Sequence, residues 1–256
     1  MTKSIFISGG AAGIGREVAL RFRREGWTVG AYDIDQAALA ELASEHPGIH
    51  TGPLDVTDHR SWEDALADFT AVTGGRLDVL DNNAGIIAGG DIVDQTPGQI
   101  AAQNAVNCTG VVFGARAAHP YLQATPGAHL VNMSSASAIY GQPHIAPYSA
   151  SKFYVQGLTQ ALDLEWAGDD IRVVAVMPLW ARTALADVDT ASTRRLGVHI
   201  DPQDVAETVW RAVNPRRGVE TRRHFYSVSP VDLAMRIGSR FSPAELTRAI
   251  NRLLAG

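Results

Sequence analysis

The chain has one cysteine, Cys108, in 256 residues. An internal disulfide is therefore excluded, and so is a cysteine-rich metal site. A lone cysteine of this kind is ordinarily a packing residue in a reducing compartment. No apolar run approaches the ~18 residues that a membrane-spanning helix needs. The first ten residues, MTKSIFISGG, enter an apolar strand at once and lack the architecture of a secretory signal. Positive charge is scarce as well. The net charge of −5 offers no general attraction to nucleic acid or to an acidic membrane. These absences lead to the expectation of a soluble, cytoplasmic protein with no metal, no nucleic-acid partner and no membrane partner.

What is present is an alternation. Short apolar runs are predicted as strands at Ser4–Ser8, Thr28–Tyr32, Ile49–Leu54, Val79–Asn82, His129–Met133, Ile171–Met177 and His224–Val228. Between them, amphipathic stretches predict helices at Gly13–Glu25, Asp35–Glu45, Arg60–Val72, about Pro97–Leu122, Ala146–Trp166 and Gln203–Val213. The strands are apolar almost throughout, as in a parallel sheet covered on both faces. The repeated strand–helix pattern predicts a doubly wound α/β fold of about seven strands. No linker, low-complexity tract or repeat divides the chain. One domain over residues 1–256 is expected, with 1–130 mainly a cofactor-binding half. Residues 131–256 would form a catalytic and substrate-binding half with a C-terminal helical extension.

The stretch SASAIYGQPHIAPYSASK, from Ser135 to Lys152, carries the chemistry. Pro147 stands where a helix starts and a missing backbone N–H costs little. Tyr148 and Lys152 lie four apart on that helix and so share a face. An ammonium beside a phenol favours the phenolate and brings its pKa, near ~10 when free, closer to working pH. The preceding strand delivers Ser134 and Ser135 to its C-terminal end, where a hydroxyl can hold a substrate oxygen. A Tyr–Lys pair at this spacing also occurs by chance, so its weight comes from the rest of the chain.

Between the first strand and first helix runs SGGAAGIG, with Gly9, Gly13 and Gly15. Glycines permit backbone shapes closed to other residues and let a ligand come close. The helix start offers free N–H groups to a pyrophosphate. Alone, the cluster is also readable as a tight turn, since its spacing is not GxGxxG. The second strand ends near Asp33, about 20 residues on, where a carboxylate can bond an adenosine ribose and repel a 2′-phosphate. The competing reading is a helix cap. Here Asp33 is taken as the ribose ligand, Asp35 as the cap, and Asp58 as the cap of the next helix. Ile34 follows Asp33, and no Lys or Arg lies in the glycine turn. NAD is therefore expected rather than NADP. Asp55 and Val56 are placed at the adenine edge.

The fourth strand ends in NNAG, Asn82 to Gly85. With this motif the chain resembles the short-chain dehydrogenase/reductase family in its single-domain branch. The matching segments are SGGAAGIG, LDV at 54–56, NNAG, Asn107 in AVNCTG, SS at 134–135 and YSASK. The resemblance implies a Rossmann-type sheet, a nicotinamide cofactor and hydride transfer between an alcohol and a carbonyl. It implies Tyr148 as acid or base, Lys152 as the group that lowers its pKa and binds the nicotinamide ribose, and Ser135 as holder of the substrate oxygen. Asn107 would help hold a water in a proton relay to Lys152. Read without the family, Asn107 is equally a polar residue in a helix contact. Asn83, Ala84 and Gly85 would line the ribose side. Ile14 would face the cofactor from the glycine turn, and Pro178 and Thr183 from the segment after the sixth strand. The family commonly has glycine after that proline; Leu179 here resists positive φ, which predicts an altered turn.

The expected substrate lining is apolar and includes Ile145, Trp180 and Leu185 beside Ser135 and Tyr148. The substrate is thus expected to be a bulky or apolar secondary alcohol or its ketone. His144, Arg182, Arg194 and Arg195 stand against this if one of them clamps a carboxylate. Near the C-terminus, Ser242-Pro243 and Glu245 read as a helix start. Leu246, Ile250, Leu253 and Leu254 would give that helix one apolar face. The resemblance implies a homodimer or homotetramer paired through the Asn107 and Tyr148 helices. The other function class considered, a silent nucleotide-sensing protein on the same fold, predicts loss of proton-transfer residues that this chain retains.

Overall fold

The computed structural model describes residues 2–188, 190–215 and 223–255. A single parallel sheet of seven strands runs through it. These are β1 (Ser4–Ser8), β2 (Thr28–Asp33), β3 (Ile49–Pro53), β4 (Val79–Asn82), β5 (His129–Met133), β6 (Arg172–Met177) and β7 (Phe225–Ser227). Their order is β3-β2-β1-β4-β5-β6-β7. The chain winds outward from β1 one way and from β4 the other, the doubly wound Rossmann-type arrangement. Ligands in such sheets bind beyond the C-terminal strand ends where the winding reverses. Here that point lies between β1 and β4, whose register pairs Ile5 with Val79 and Ile7 with Asp81.

Helices cover both faces. On one face α1 (Gly13–Arg24) and α8 (Pro202–Val213) close a core containing Ile5, Ile7, Val18, Phe22, Val131, Val174 and Val209. On the other, α3 (His59–Thr73), α5 (Val111–Gln123) and α6 (Ala146–Glu165) cover Phe6, Tyr32, Trp62, Phe69, Leu80, Leu130 and Val173. The caps follow the sequence. Asp35 accepts from Ala37 N and Ala38 N at the start of α2 (Gln36–Glu45), and Asp58 accepts from Arg60 N before α3. Both carboxylates satisfy otherwise orphaned helix donors.

The expected helix over 97–122 is three pieces. α4 (Pro97–Asn104) begins in a capping box of Thr96 and Gln99, a π-helical stretch covers Ala105–Gly110, and α5 follows. The inserted residue of a π turn leaves no mark in an apolar pattern, so the stretch reads as one helix. Further elements go beyond the sequence expectation: α7 (Ala191–Leu196), α9 (Pro230–Phe241) and 3-10 turns at Ala136–Ala138, Ala167–Asp169 and Ala184–Asp187. The C-terminal helix is present as α10 (Ala244–Ala255). The side chains of Ile250, Leu253 and Leu254, expected on its apolar face, lie outside the described residues.

Candidate active site

A cleft of about 370 Å³ opens at the switch point. At one end is the glycine turn. Gly9 and Gly13 hold φ of 66° and 53°, a region that favours glycine. A Cβ on Gly9 would stand 2.9 Å from Ala84 Cα. Gly15 is different from the expectation: it does not line the cleft. It is buried where a Cβ would meet Gly9 O at 2.1 Å and Asn83 Nδ2 at 2.6 Å. It allows close packing under the turn. Asn83 Nδ2 donates to Ser8 O and Gly9 O (3.1 and 3.0 Å), pinning the turn to the end of β4. The start of α1 has no side-chain cap and no acidic residue in its first turn. Its N–H groups are therefore left for an anion.

Asp33 lines the same end of the cleft. Its carboxylate accepts from Ala11 N and Asp35 N, both at 3.1 Å. Ile34, Asp55, Val56, Ala84 and Gly85 join it in the lining, with Ile14 and Gly13. Lys152 is the one cationic side chain among the described lining residues. Arg16, just past the turn, is engaged by Glu45 and Glu17. Uncapped helix donors, glycines under close approach and a fixed carboxylate suit a dinucleotide's pyrophosphate and ribose.

The other end holds the proton-transfer candidates. Tyr148, Lys152 and Ser135 all line the cleft. The two serines part company. Ser134 Oγ donates to Lys152 O (3.2 Å), which commits it to the α6 backbone. Ser135 Oγ accepts from Ser137 N (3.1 Å), donates to Pro178 O (3.4 Å) and lines the cleft with Tyr148. Lys152 Nζ donates to Met133 O (2.9 Å) and lies 5.4 Å from the centre of the Tyr148 ring.

The electrostatics correct one expectation. Burial pushes Tyr148 up to about 12, and the Ser135 hydrogen bond pulls against it. Burial also pushes Lys152 down to about 8. Desolvation penalises both charged forms and outweighs the lowering of Tyr148 that its spacing to Lys152 predicts.

Asn107 is fully buried in the π stretch and does not line the cleft. Its Oδ1 accepts from Ile86 N (2.9 Å), and its Nδ2 donates to Ile86 O (2.8 Å) and Ser151 Oγ (3.2 Å). It fixes the chain after β4 against α6. Its carboxamide and Lys152 Nζ both flank Gly85, where a Cβ would stand 3.4 and 3.6 Å from them.

Pro178, Trp180, Thr183 and Leu185 form the opposite wall. The Thr183 methyl would lie 3.3 Å from a Cβ on Gly13, so the two ends of the cleft meet there. Leu179 is not among the positive-φ residues, and it packs against the core. The turn takes leucine without strain. Ile145 does not line the cleft: it is fully buried before α6. Nothing in an apolar side chain itself distinguishes a wall from an interior position. His144 and Arg182 face Asp91 and Asp201, and neither they nor Arg194 and Arg195 line the cleft. Ala136, Ser137 and Gln142 line the cleft, within the stretch 136–145 expected to supply lining, whereas Val106 and Met133 are lining residues that sequence reasoning missed.

A dinucleotide-type cleft beside a Ser–Tyr–Lys group defines the class. The family model "short chain dehydrogenase" matches residues 3–193, and the chain belongs to that family. It is 35% identical over 218 residues to the 3-oxoacyl-[acyl-carrier-protein] reductase of Thermotoga maritima, covering 81% of this chain and 88% of that one. It is 32% identical over 216 residues to meso-2,3-butanediol dehydrogenase of Serratia marcescens, covering 80% and 84%. Among solved structures, a 3-ketoacyl-(acyl-carrier-protein) reductase of Brucella melitensis complexed with NADH superposes with a TM-score of 0.80. Its identity is 26%, over 88% of this chain and 95% of that one. A Burkholderia phymatum short chain dehydrogenase/reductase in complex with NAD also gives 0.80 at 26% identity, over 92% of each chain. The chain is thus an oxidoreductase of this family. No described helix is long and apolar enough to cross a membrane.

Proposed function

We propose that the protein is an NAD(H)-dependent alcohol dehydrogenase or carbonyl reductase, interconverting a secondary alcohol and its ketone. The observation that carries this is the meeting of Ser135, Tyr148 and Lys152 in the cleft that also holds the glycine turn and Asp33. A bound nicotinamide supplies or accepts the hydride. The chain's own residues handle the proton and the oxygen. In reduction the Tyr148 hydroxyl gives its proton to the carbonyl oxygen, while Ser135 holds that oxygen in place. In oxidation the phenolate takes the alcohol proton back. Lys152, four residues on, favours the phenolate by its charge and would hold the nicotinamide ribose.

Asp33 supports NAD over NADP, since a 2′-phosphate would meet a carboxylate and no neighbouring cation. The wall of Leu179, Trp180 and Leu185 supports a bulky or apolar substrate. Assembly as a homodimer or homotetramer is supported by Phe153 and Leu164, apolar and exposed on α6; sedimentation of the purified chain tests it.

The deciding experiment is absorbance of the reduced nicotinamide with NAD and then NADP, against secondary alcohols from small hydroxy acids to aromatic and steroid-like ones. Turnover with NAD and apolar alcohols is expected. Turnover restricted to NADP would overturn the reading of Asp33, and a preference for small hydroxy acids would overturn that of the wall. Tyr148→Phe should keep nucleotide binding and lose activity by ~10²-fold or more.

A further inference from the structure

One polar group on the cleft wall has no part in proton transfer. Gln142, in the loop before α6, lines the cleft and is 6% exposed. Its backbone N–H donates to Ser149 Oγ (3.1 Å). Its side-chain Oε1 accepts from Ser192 Oγ on α7 (2.9 Å). That serine hydroxyl is itself surrounded. Trp180 Nε1 lies 3.1 Å from it and Thr190 Oγ1 lies 2.9 Å away.

The protons in this network can be assigned. An indole N–H only donates, so it takes one Ser192 lone pair. Thr190 Oγ1 accepts the Thr193 N–H (3.1 Å). Thr193 Oγ1 sends its proton to Thr190 O, its nearest acceptor at 2.8 Å. Of the two hydroxyls near it, Ser192 Oγ (2.9 Å) is closer to Thr190 Oγ1 than Thr193 Oγ1 (3.2 Å), so the Thr190 proton is assigned to Ser192 Oγ and fills the second lone pair. The Ser192 proton is left for Gln142, which must receive it on the amide oxygen. The Gln142 NH2 is therefore turned away from Ser192. No described residue accepts from it, and it stays accessible from the cleft. An NH2 open to the cleft and without a protein acceptor is free to donate to a ligand oxygen.

The latch is braced from outside. Asn251 Nδ2 on α10 donates to Gly141 O (2.6 Å), next to Gln142. Arg195 on α7 donates to Arg252 O (3.2 Å). One turn of the C-terminal helix thus contacts both segments that carry the Gln142–Ser192 bond.

We propose that the Gln142 NH2 binds a second oxygen of the substrate, so that the substrate class is a ketone or secondary alcohol bearing a further carbonyl, ester or hydroxyl oxygen. This rests on the oxidoreductase reading. It narrows the apolar class: Leu179, Trp180 and Leu185 take the hydrocarbon, and Gln142 fixes which way round it lies. The second oxygen is a recognition contact and takes no part in the chemistry.

Calorimetric titration tests this without turnover, because a ketone cannot react when the protein is saturated with oxidised NAD. The probes are propiophenone, 1-phenyl-1,2-propanedione and 1-phenyl-1,3-butanedione, titrated with and without NAD. At least one dione should bind about tenfold more tightly than propiophenone. That advantage should vanish in Gln142→Leu. It should also vanish in Gln142→Glu, which keeps an oxygen for the Ser192 proton and loses the NH2. Equal binding of all three probes to the wild-type protein overturns the proposal, whether or not the variants fold. So does an advantage that survives either substitution. Failure of the oxidoreductase reading is seen separately, as no nicotinamide absorbance change with any alcohol or ketone.

Discussion

A phenol is a weak proton donor and acceptor at neutral pH, and burial makes Tyr148 weaker still by pushing it up to about 12. Lys152 is pushed the other way, to about 8. Ketone reduction needs the phenol proton, and alcohol oxidation needs it gone. Raising the pH should therefore raise kcat/KM for oxidation and lower it for reduction, measured in the two directions with one alcohol–ketone pair. Lys152→Met removes the one nearby cation and leaves desolvation in charge. Its oxidation profile should move to higher pH, towards the Tyr148 value, and an unshifted profile would count against Lys152 as the group that activates the phenol. At the far end of the cleft, Asp33 stands beside an Ile34 that is 71% exposed. The double substitution Asp33→Ser with Ile34→Arg removes a repelling charge and supplies a phosphate ligand. It should shift kcat/KM from NAD towards NADP by at least about tenfold, or ~1.4 kcal/mol. Tyr148, Lys152, Ser135 and Asp33 were legible because each sits at a fixed offset from a local signal. Gln142 was not, since its orientation depends on Ser192, fifty residues further on.

At the scale of elements, the π stretch at Ala105–Gly110 shows what periodicity conceals. One extra residue in the turn buries Asn107, which then bonds both backbone groups of Ile86. The carboxamide acts as the chain's partner where β4 has ended and no strand is available. Asn107→Ala would leave Ile86 N–H and C=O without these partners. A loss of roughly 1–3 kcal/mol in unfolding free energy is expected, read by urea denaturation. Asn107→Asp can still accept from Ile86 N–H but sets an oxygen against Ile86 O. It should therefore be destabilised as well, and a variant as stable as wild type would show that the pairing contributes nothing. Helix starts were more legible than helix interiors. Ser242-Pro243 with Glu245 marked the approach to α10, and Ser229-Pro230 with Asp232 carries the same signal at α9. There the box is complete: Asp232 Oδ1 accepts from Ser229 N and Oγ. The second signal lies close behind the last strand, where a strand-like run masks a helix start.

For the molecule as a whole, the alternation of strands and helices was enough to predict a parallel sheet, because strands buried on both faces are apolar at nearly every position. Asp81 breaks that rule. It lies in the middle of the sheet between Ile7 and Val131, and it is fully buried. Neither of its carboxylate oxygens has a hydrogen-bond partner among the described residues. Desolvation alone pushes it up to about 8. In the unfolded chain the same carboxyl ionises near ~3.9. Between those values folding must take up a proton, so stability is greatest below about 4 and falls as the pH rises to about 8. The slope from this group is at most about 1.4 kcal/mol per pH unit. Above about 8 both states are ionised, and the penalty is constant. Asp81→Val removes the carboxyl and keeps the apolar surroundings filled. Urea unfolding should show it more stable than wild type at pH 8 by a few kcal/mol, with the gap closing towards pH 4. A gap that stays the same at both pH values would mean that Asp81 is ionised, or solvated, throughout. The fold tolerates it as a neutral acid, which costs far less than a charge at the centre of a sheet.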